Sequence, residues 1–330
     1  LRNILGAMTK NRVMGVITGV VITALIQSSS ASTTMVVSFV NAGLMTLQQS
    51  MAVIFGANVG TTFTTWIISA FSFEVSISDY AIALLALAVP MIFMKRSAWK
   101  YTGEFLIGFC LLFMGLDLIS KFVPNLKDNP EMLQFLSEYT SMGFGSVVLF
   151  SLIGAILTMV IQSSAATFAI TLVMCSQGWI SFELGCAIVL GGNIGTTITA
   201  LLASVGQSKD AKRTAVAHSV FNISGALIFI WIIKPFAAFI QYISPKGVEV
   251  EVIARQIANA HTTFNIVMTL IWLPLIGLLV KIVMAIIPDR KARMVVLPDE
   301  PKYLDANLIS QPSAALHLVS KEVLRVSQDV

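Results

Sequence analysis

The sequence predicts an all-α, multi-pass membrane protein built from two inverted-topology repeats. Three observations carry this. The 330 residues are 56% hydrophobic and only 12% charged, whereas soluble domains carry about a quarter charged residues. Long apolar segments recur along the chain, and two of them hold a hydroxyl-rich cluster near the middle. The chain also aligns with itself at a shift of 135 residues, so that Gln27 meets Gln162 and Asn58 meets Asn193. So much apolar surface cannot be hidden in one soluble core. The net charge of +4 is small and gives no reason to invoke nucleic acid. Cys110, Cys175 and Cys186 stand in apolar segments with no CxxC spacing. They read as free buried thiols, not as a disulfide framework or a metal site.

A crossing needs about 20 apolar residues, with a range of about 17–25. The first apolar stretch, 13–45, is too long for one span, yet each half beside "QSSSASTT" is short for one. That pattern predicts a re-entrant hairpin, which survives at membrane depth only when buried in protein or lining a wet cavity. Next come 49–71, interrupted by "GANVGTT" and predicted as a broken helix, and a short span at 80–94. These make repeat 1, residues 1–100. Repeat 2, residues 101–293, holds a span at 101–119, a second hairpin at 143–178 around "QSSAAT", a broken helix at 182–205 around "GGNIGTT", and spans at 214–233 and 260–287. About six full spans result. The span 101–119 has no counterpart before the first hairpin, so one further N-terminal span is expected. Residues 294–330 are polar and carry Pro298, Pro301 and Pro312. Within them Leu316, Val319, Val323, Val326 and Val330 predict an amphipathic helix over about 313–330.

Loop charge orients the spans. Basic loops hold Arg2, Lys10 and Arg12; Lys95, Arg96 and Lys100; Lys209, Lys212 and Arg213; and Arg290, Lys291 and Arg293. The others are acidic or mixed: Glu74 and Asp79; Lys127, Asp128, Glu131 and Glu138; Lys246, Glu249, Glu251 and Arg255. With basic loops in the cytoplasm, the crossing order closes only if both QSS segments turn back. The first hairpin then enters from the cytoplasm and the second from outside. The expected location is the plasma membrane, a bacterial inner membrane, with the tail cytoplasmic.

Between 18–67 and 153–202 fifteen positions are identical without gaps, crowded into QSS-A and G-N-GTT. Glycines such as Gly15 and Gly19 at GxxxG spacing are explained by close helix approach alone. A paired Gln, Ser-Ser, Asn and Thr-Thr at the same interval is not. Inverted repeats with broken helices meeting near the midplane mark secondary transporters.

The two clusters permit different chemistry. A break at QSSS exposes N–H groups and hydroxyls at a positive helix end, which suits an anion. The expected anion ligands are Gln27, Ser28, Ser29, Ser30, Gln162, Ser163 and Ser164. Unwinding at GxNxGTT would free hard oxygen ligands for a small cation such as Na+. The expected cation ligands are Asn58, Thr61, Thr62, Asn193, Thr196 and Thr197, with Ser32 and Thr167. No Arg or Lys lies inside these clusters, so cation-coupled anion transport fits better than a basic pore. A water-filled channel lined by the same hydroxyls stays open as an alternative. "HSVFN" and "HTTFN" place His218 with Asn222 and His261 with Asn265, each four apart on one helix face. Interhelical hydrogen bonding is the favoured reading, a proton-linked pair the other. Glu104 and Asp117 are expected near span ends, Asp117 with a coupling role as the alternative.

These residues resemble the type II sodium–phosphate cotransporter family. The resemblance rests on "LRNILGAMTKNRVMGVITG…TALIQSSSAST", "NAGLMTLQQSMAVIFGANVGTT", the second "VIQSSAAT…GGNIGTT" and the two HxxFN segments, and covers roughly residues 1–293. It implies Na+-driven uptake of inorganic phosphate by alternating access, with Na+ as coupling ion, no other cofactor and no enzymatic reaction. Family roles fall on the Gln and Ser residues of the two QSS segments. The second copy has Ala165 where the fuller motif has a third Ser, so the half-sites differ by one hydroxyl. The tail resembles the lead-in to a PhoU-like domain; packing on the membrane domain or on a second protomer, giving a homodimer, is the alternative. Competing functions are sodium-coupled transport of another small anion, and an anion channel or phosphate sensor. An intramembrane hydrolase is disfavoured, because no GxSxG stands near the serines.

Overall fold

The computed structural model describes residues 2–72, 77–122, 137–247, 249–289, 303–304 and 312–328. Among them the regular structure is helical and no strand occurs. Residues up to Ile287 form one compact unit and those from Pro288 a second.

The first unit opens with α1 (Arg2–Met8) and α2 (Arg12–Ile26), the latter started by Asn11, whose side chain accepts the N–H of Met14. A two-residue turn, Gln27-Ser28, leads to α3 (Ser29–Asn41). Then come α4 (Leu47–Ser72), α5 (Ile77–Ile92) and α6 (Ser97–Phe122). The same order recurs with α7 (Phe144–Ile161), a turn at Gln162-Ser163, α8 (Ser164–Ser176), α9 (Phe182–Gly195) and α10 (Thr197–Ala203). The unit ends with α11 (Lys209–Trp231), α12 (Ile233–Ile243), α13 (Glu249–Trp272) and α14 (Ile276–Ile286). The second unit contributes α15 (Pro312–Gln328), whose Leu316, Val319 and Val323 are exposed.

Glycines set the spacing of the two central helix pairs. A Cβ on Gly19 would sit 2.0 Å from the Val53 carbonyl oxygen, and one on Gly56 2.0 Å from that of Val16. In the second copy a Cβ on Gly154 would sit 2.1 Å from the Ile188 carbonyl oxygen, and one on Gly191 1.8 Å from that of Ser151. These contacts correspond residue by residue at the 135-residue shift. Backbone thus lies on backbone between α2 and α4, and between α7 and α9, which only small residues allow. α9 is buried around nearly its whole circumference, as a core helix is. α13 and α11 close the core, with Phe55 of α4 stacked on Phe221 and Phe229 edge-on to Phe264.

Among the described residues four helical stretches are long and apolar enough to cross a membrane: Leu47–Ala70, Phe144–Ile161, Phe182–Ala203 and Lys209–Trp231. A fifth candidate is the pair Val252–Trp272 and Ile276–Ile286.

The sequence reading needs four corrections. The broken helix expected at 49–71 is continuous, because α4 runs unbroken through GANVGTT. Between Phe182 and Ala203 only Thr196 departs from the helix, and its N–H still reaches the Gly192 carbonyl at 3.1 Å. The glycines of both motifs serve close packing and do not unwind the chain. The single span expected at 260–287 is two helices bent by 87°, because Pro274 cannot continue the α13 hydrogen-bond ladder. Lys209, Lys212 and Arg213 begin α11 and do not form a loop. Arg213 is buried, paired with Asp210 at 2.8 Å and donating to the Ile287 carbonyl at 2.8 and 3.0 Å. The orienting charges Glu74, Lys127, Asp128, Glu131, Arg290, Lys291 and Arg293 lie outside the described residues.

Candidate functional site: two matched helix turns around one cavity

The site begins with a backbone peculiarity. Gln27 and Gln162 are the positive-φ residues other than glycine among the described residues, with φ 57° in both. Left-handed backbone costs a non-glycine residue about 1–2 kcal/mol, and such strain persists only where its surroundings impose it. Here each Gln ends one helix, its N–H donating to Thr23 or Thr158 at 2.8 Å. An extended serine follows, and its Oγ accepts the N–H of Ala31 or Ala166 at 3.2 Å. The two turns therefore repeat in dihedral angle, cap and distance.

Each turn leaves a helix N-terminus with N–H groups that have no carbonyl one turn earlier to bond. Ser28 and Ser163 cap one such group apiece; those of Ser29, Ser30, Ser164 and Ala165 point out of the first turn. Free N–H groups at a positive helix end are chemistry that can hold an anion. A cavity of about 520 Å³ lies where the copies meet, lined by Ser30, Thr34 and Ser38 of α3, by Gln162, and by Thr199 and Leu202 of α10. It is a wide, open hollow, with Gln162 and Leu202 of its lining exposed. The Thr199 hydroxyl lies 3.3 Å from the Ser30 hydroxyl and also donates to the Thr196 carbonyl. The hydroxyl that Ala165 lacks in the second copy is thus the one that links the first copy to the second.

Gln27 does not line the cavity. Like Gln162 it is exposed, and its Oε1 accepts the Thr64 hydroxyl at 2.7 Å. Ser29 is buried, and neither it nor Ser28, Ser163 or Ser164 lines the cavity.

The expected cation ligands share one property. Thr61 donates to the Ala57 carbonyl, Thr62 to Val59, Thr196 to Asn193, Thr197 to Ile194 and Ser32 to Ser28, at 2.7–3.0 Å. Thr167 takes the Thr158 hydroxyl at 2.8 Å and lies 3.3 Å from the Ser163 carbonyl. A hydroxyl that spends its proton on a carbonyl presents only lone pairs elsewhere, as a cation ligand must. All except Thr61 are buried, as are Asn58 and Asn193. The Asn oxygens meet histidines: Asn58 Oδ1 lies 3.1 Å from His218 Nε2, and Asn193 Oδ1 3.2 Å from His261 Nε2.

The sequence pattern of the Na+/Pi-cotransporters matches residues 1–121 and 129–269. The chain belongs to the Na+/Pi-cotransporter family. YqeW of Bacillus subtilis, an uncharacterized protein, is 31% identical over 82% of this chain and 83% of its own. YjbB of Salmonella typhimurium, named for inorganic phosphate export, is 28% identical over 99% of this chain. This chain spans 57% of YjbB. Human sodium-dependent phosphate transport protein 2B is 41% identical over 63 residues, 19% of this chain and 9% of its own. No solved structure matches.

The family is one of transporters. Asp117 pairs with Lys121 on α6 at 2.6 Å. Three hydroxyl residues of the cavity wall escaped the sequence reading: Thr34, Ser38 and Thr199. For Thr199 a signal existed, because Thr64 and Thr199 are among the fifteen identities between the copies.

Proposed function

We propose that this chain forms the membrane domain of a sodium-coupled transporter of inorganic phosphate, in which the QSS turns are the tips of two re-entrant hairpins in inverted repeats. The observation that carries the reading is the shared cavity: Ser30 of the first copy and Gln162 and Thr199 of the second line one space. Phosphate there would meet neutral donors: the Gln162 amide, the Ser30 and Thr199 hydroxyls, and N–H groups at a helix start. Among the described residues no Lys or Arg lines the cavity, so co-bound Na+ would balance the anion's charge. Asn58 and Asn193 with Thr61, Thr62, Thr196, Thr197, Ser32 and Thr167 would supply its oxygen ligands. A site neutral when empty can return without carrying a buried charge, as alternating access requires. The tail from residue 294 would be cytoplasmic and the location a bacterial inner membrane.

An inward Na+ gradient drives uptake in this reading. YjbB, named for export, favours outward movement as the second reading. Liposomes holding the purified protein test the coupling to Na+. With Na+ imposed from outside, labelled phosphate should accumulate inside; with the gradient reversed, it should leave. Phosphate flux indifferent to Na+ would sink the coupling, and flux that never concentrates phosphate would indicate a channel.

A further inference from the structure

The two HxxFN segments lie outside the repeated blocks, His218 and His261 being only 43 residues apart. Yet the structure assigns one to each copy. His218 of α11 reaches Asn58 of α4, and His261 of α13 reaches Asn193 of α9, at 3.1 and 3.2 Å, with all four residues buried. The Asn four residues on ties each module together: the Asn222 and Asn265 amides donate to the His218 and His261 carbonyls at 3.0 and 2.9 Å. Phe221, inside the first module, stacks on Phe55, three residues before Asn58. Each module is thus a braced arm ending in an imidazole on the Asn of a GxNxGTT motif.

The proton assignment follows from the amides. Asn193 donates its Nδ2–H to the Val189 carbonyl at 3.0 Å, which turns its Oδ1 toward His261. A side-chain carbonyl only accepts, so His261 Nε2 carries the hydrogen. Of the nine buried side-chain atoms without a partner among the described residues, five belong to these modules and Asn58: Asn58 Nδ2, His218 Nδ1, Asn222 Oδ1, His261 Nδ1 and Asn265 Oδ1.

We infer that His218 and His261 are positioning residues, each donating from Nε2 to fix the amide oxygen of Asn58 or Asn193 in the orientation that binds sodium. The inference rests on the sodium reading proposed above. The copies are also unequal. Asn193 is held by two bonds, one to His261 and one to Val189, whereas Asn58 is held by His218 alone. The first copy's cation site therefore depends more on its histidine than the second's.

Glutamine and asparagine variants test this, because a Gln amide nitrogen reaches the place of Nε2 and an Asn nitrogen only that of Nδ1. The readouts are the Na+ concentration that half-activates phosphate transport in liposomes, and the rise in unfolding temperature that Na+ over choline gives the purified chain. His218→Asn should raise the half-activating Na+ roughly fivefold, the effect of one lost hydrogen bond, and flatten the Na+-dependent thermal shift. His218→Gln should recover the wild-type sodium dependence. His261→Asn should show a smaller rise, so the comparison survives if His218→Asn does not fold. Phosphate KM at saturating Na+ should stay near wild type throughout. Folded His218→Asn with wild-type sodium dependence, or Asn and Gln variants alike, would overturn the inference. A wild type with no sodium response in either readout would overturn the sodium reading and this inference with it.

Discussion

Replacing Gln162 by glycine separates the backbone role of the turn from its chemical one. Gln162 holds φ 57°, a strain of about 1–2 kcal/mol for any residue with a Cβ. Glycine removes that strain but loses about 0.5–1 kcal/mol to greater freedom in the unfolded chain. The two nearly cancel, so the unfolding temperature of Gln162→Gly should stay at or slightly above that of the wild type. The cavity loses its amide donor. A hydrogen bond to a charged partner contributes about 1.5–3 kcal/mol, so phosphate affinity should fall roughly ten- to hundredfold at about 1.4 kcal/mol per tenfold. Thermal unfolding in detergent and phosphate binding in Na+ measure both on one preparation. Gln162→Val, with a β-branched side chain in a left-handed turn, should lose stability as well. A glycine variant that binds phosphate like the wild type would refute the ligand role, and one that unfolds far earlier would refute the account of the turn.

Other variants probe the frame. Gly191→Ala pushes a methyl to 1.8 Å from the Ser151 carbonyl and should destabilise the chain by about 1–3 kcal/mol or more, read as a lower unfolding temperature and poorer membrane expression. Arg213→Ala strips the Ile287 carbonyl of two donors and should cost about 1.5–3 kcal/mol, seen in the same melts. Ser30→Ala makes the first turn like the second at that position; it should leave folding unchanged while phosphate affinity in liposome transport drops several-fold, roughly one hydrogen bond.

Composition made the helical membrane class legible, and the doubled motifs pointed to the right turns. Gln27 and Gln162 carry the left-handed angles because the polar cluster ends one helix and caps the next. The glycines misled. Read as helix breakers in GANVGTT and GGNIGTT, they keep their helices intact and lie against the backbones of α2 and α7. A glycine weakens a lone helix but admits a neighbour's backbone, and spacing alone does not tell which effect wins. Pro274 signalled the bend between α13 and α14 and was passed over inside an apolar run. The partners of His218 and His261 were not legible, because a contact between helices 160 or 68 residues apart leaves no local pattern.

The central claim is that one sodium-dependent phosphate cavity lies between the two copies, and labelling of its walls tests it most directly. Thr34→Cys places a thiol on the first copy's wall and Leu202→Cys on the second's, and neither is a proposed ligand. The native Cys110, Cys175 and Cys186 are buried, while exposed Tyr242 on α12 offers a control position. Phosphate with Na+ should slow modification of both wall cysteines by a water-soluble thiol reagent and leave Tyr242→Cys untouched, and phosphate in choline should protect neither. Protection of one wall alone, or equal protection without Na+, would contradict the account.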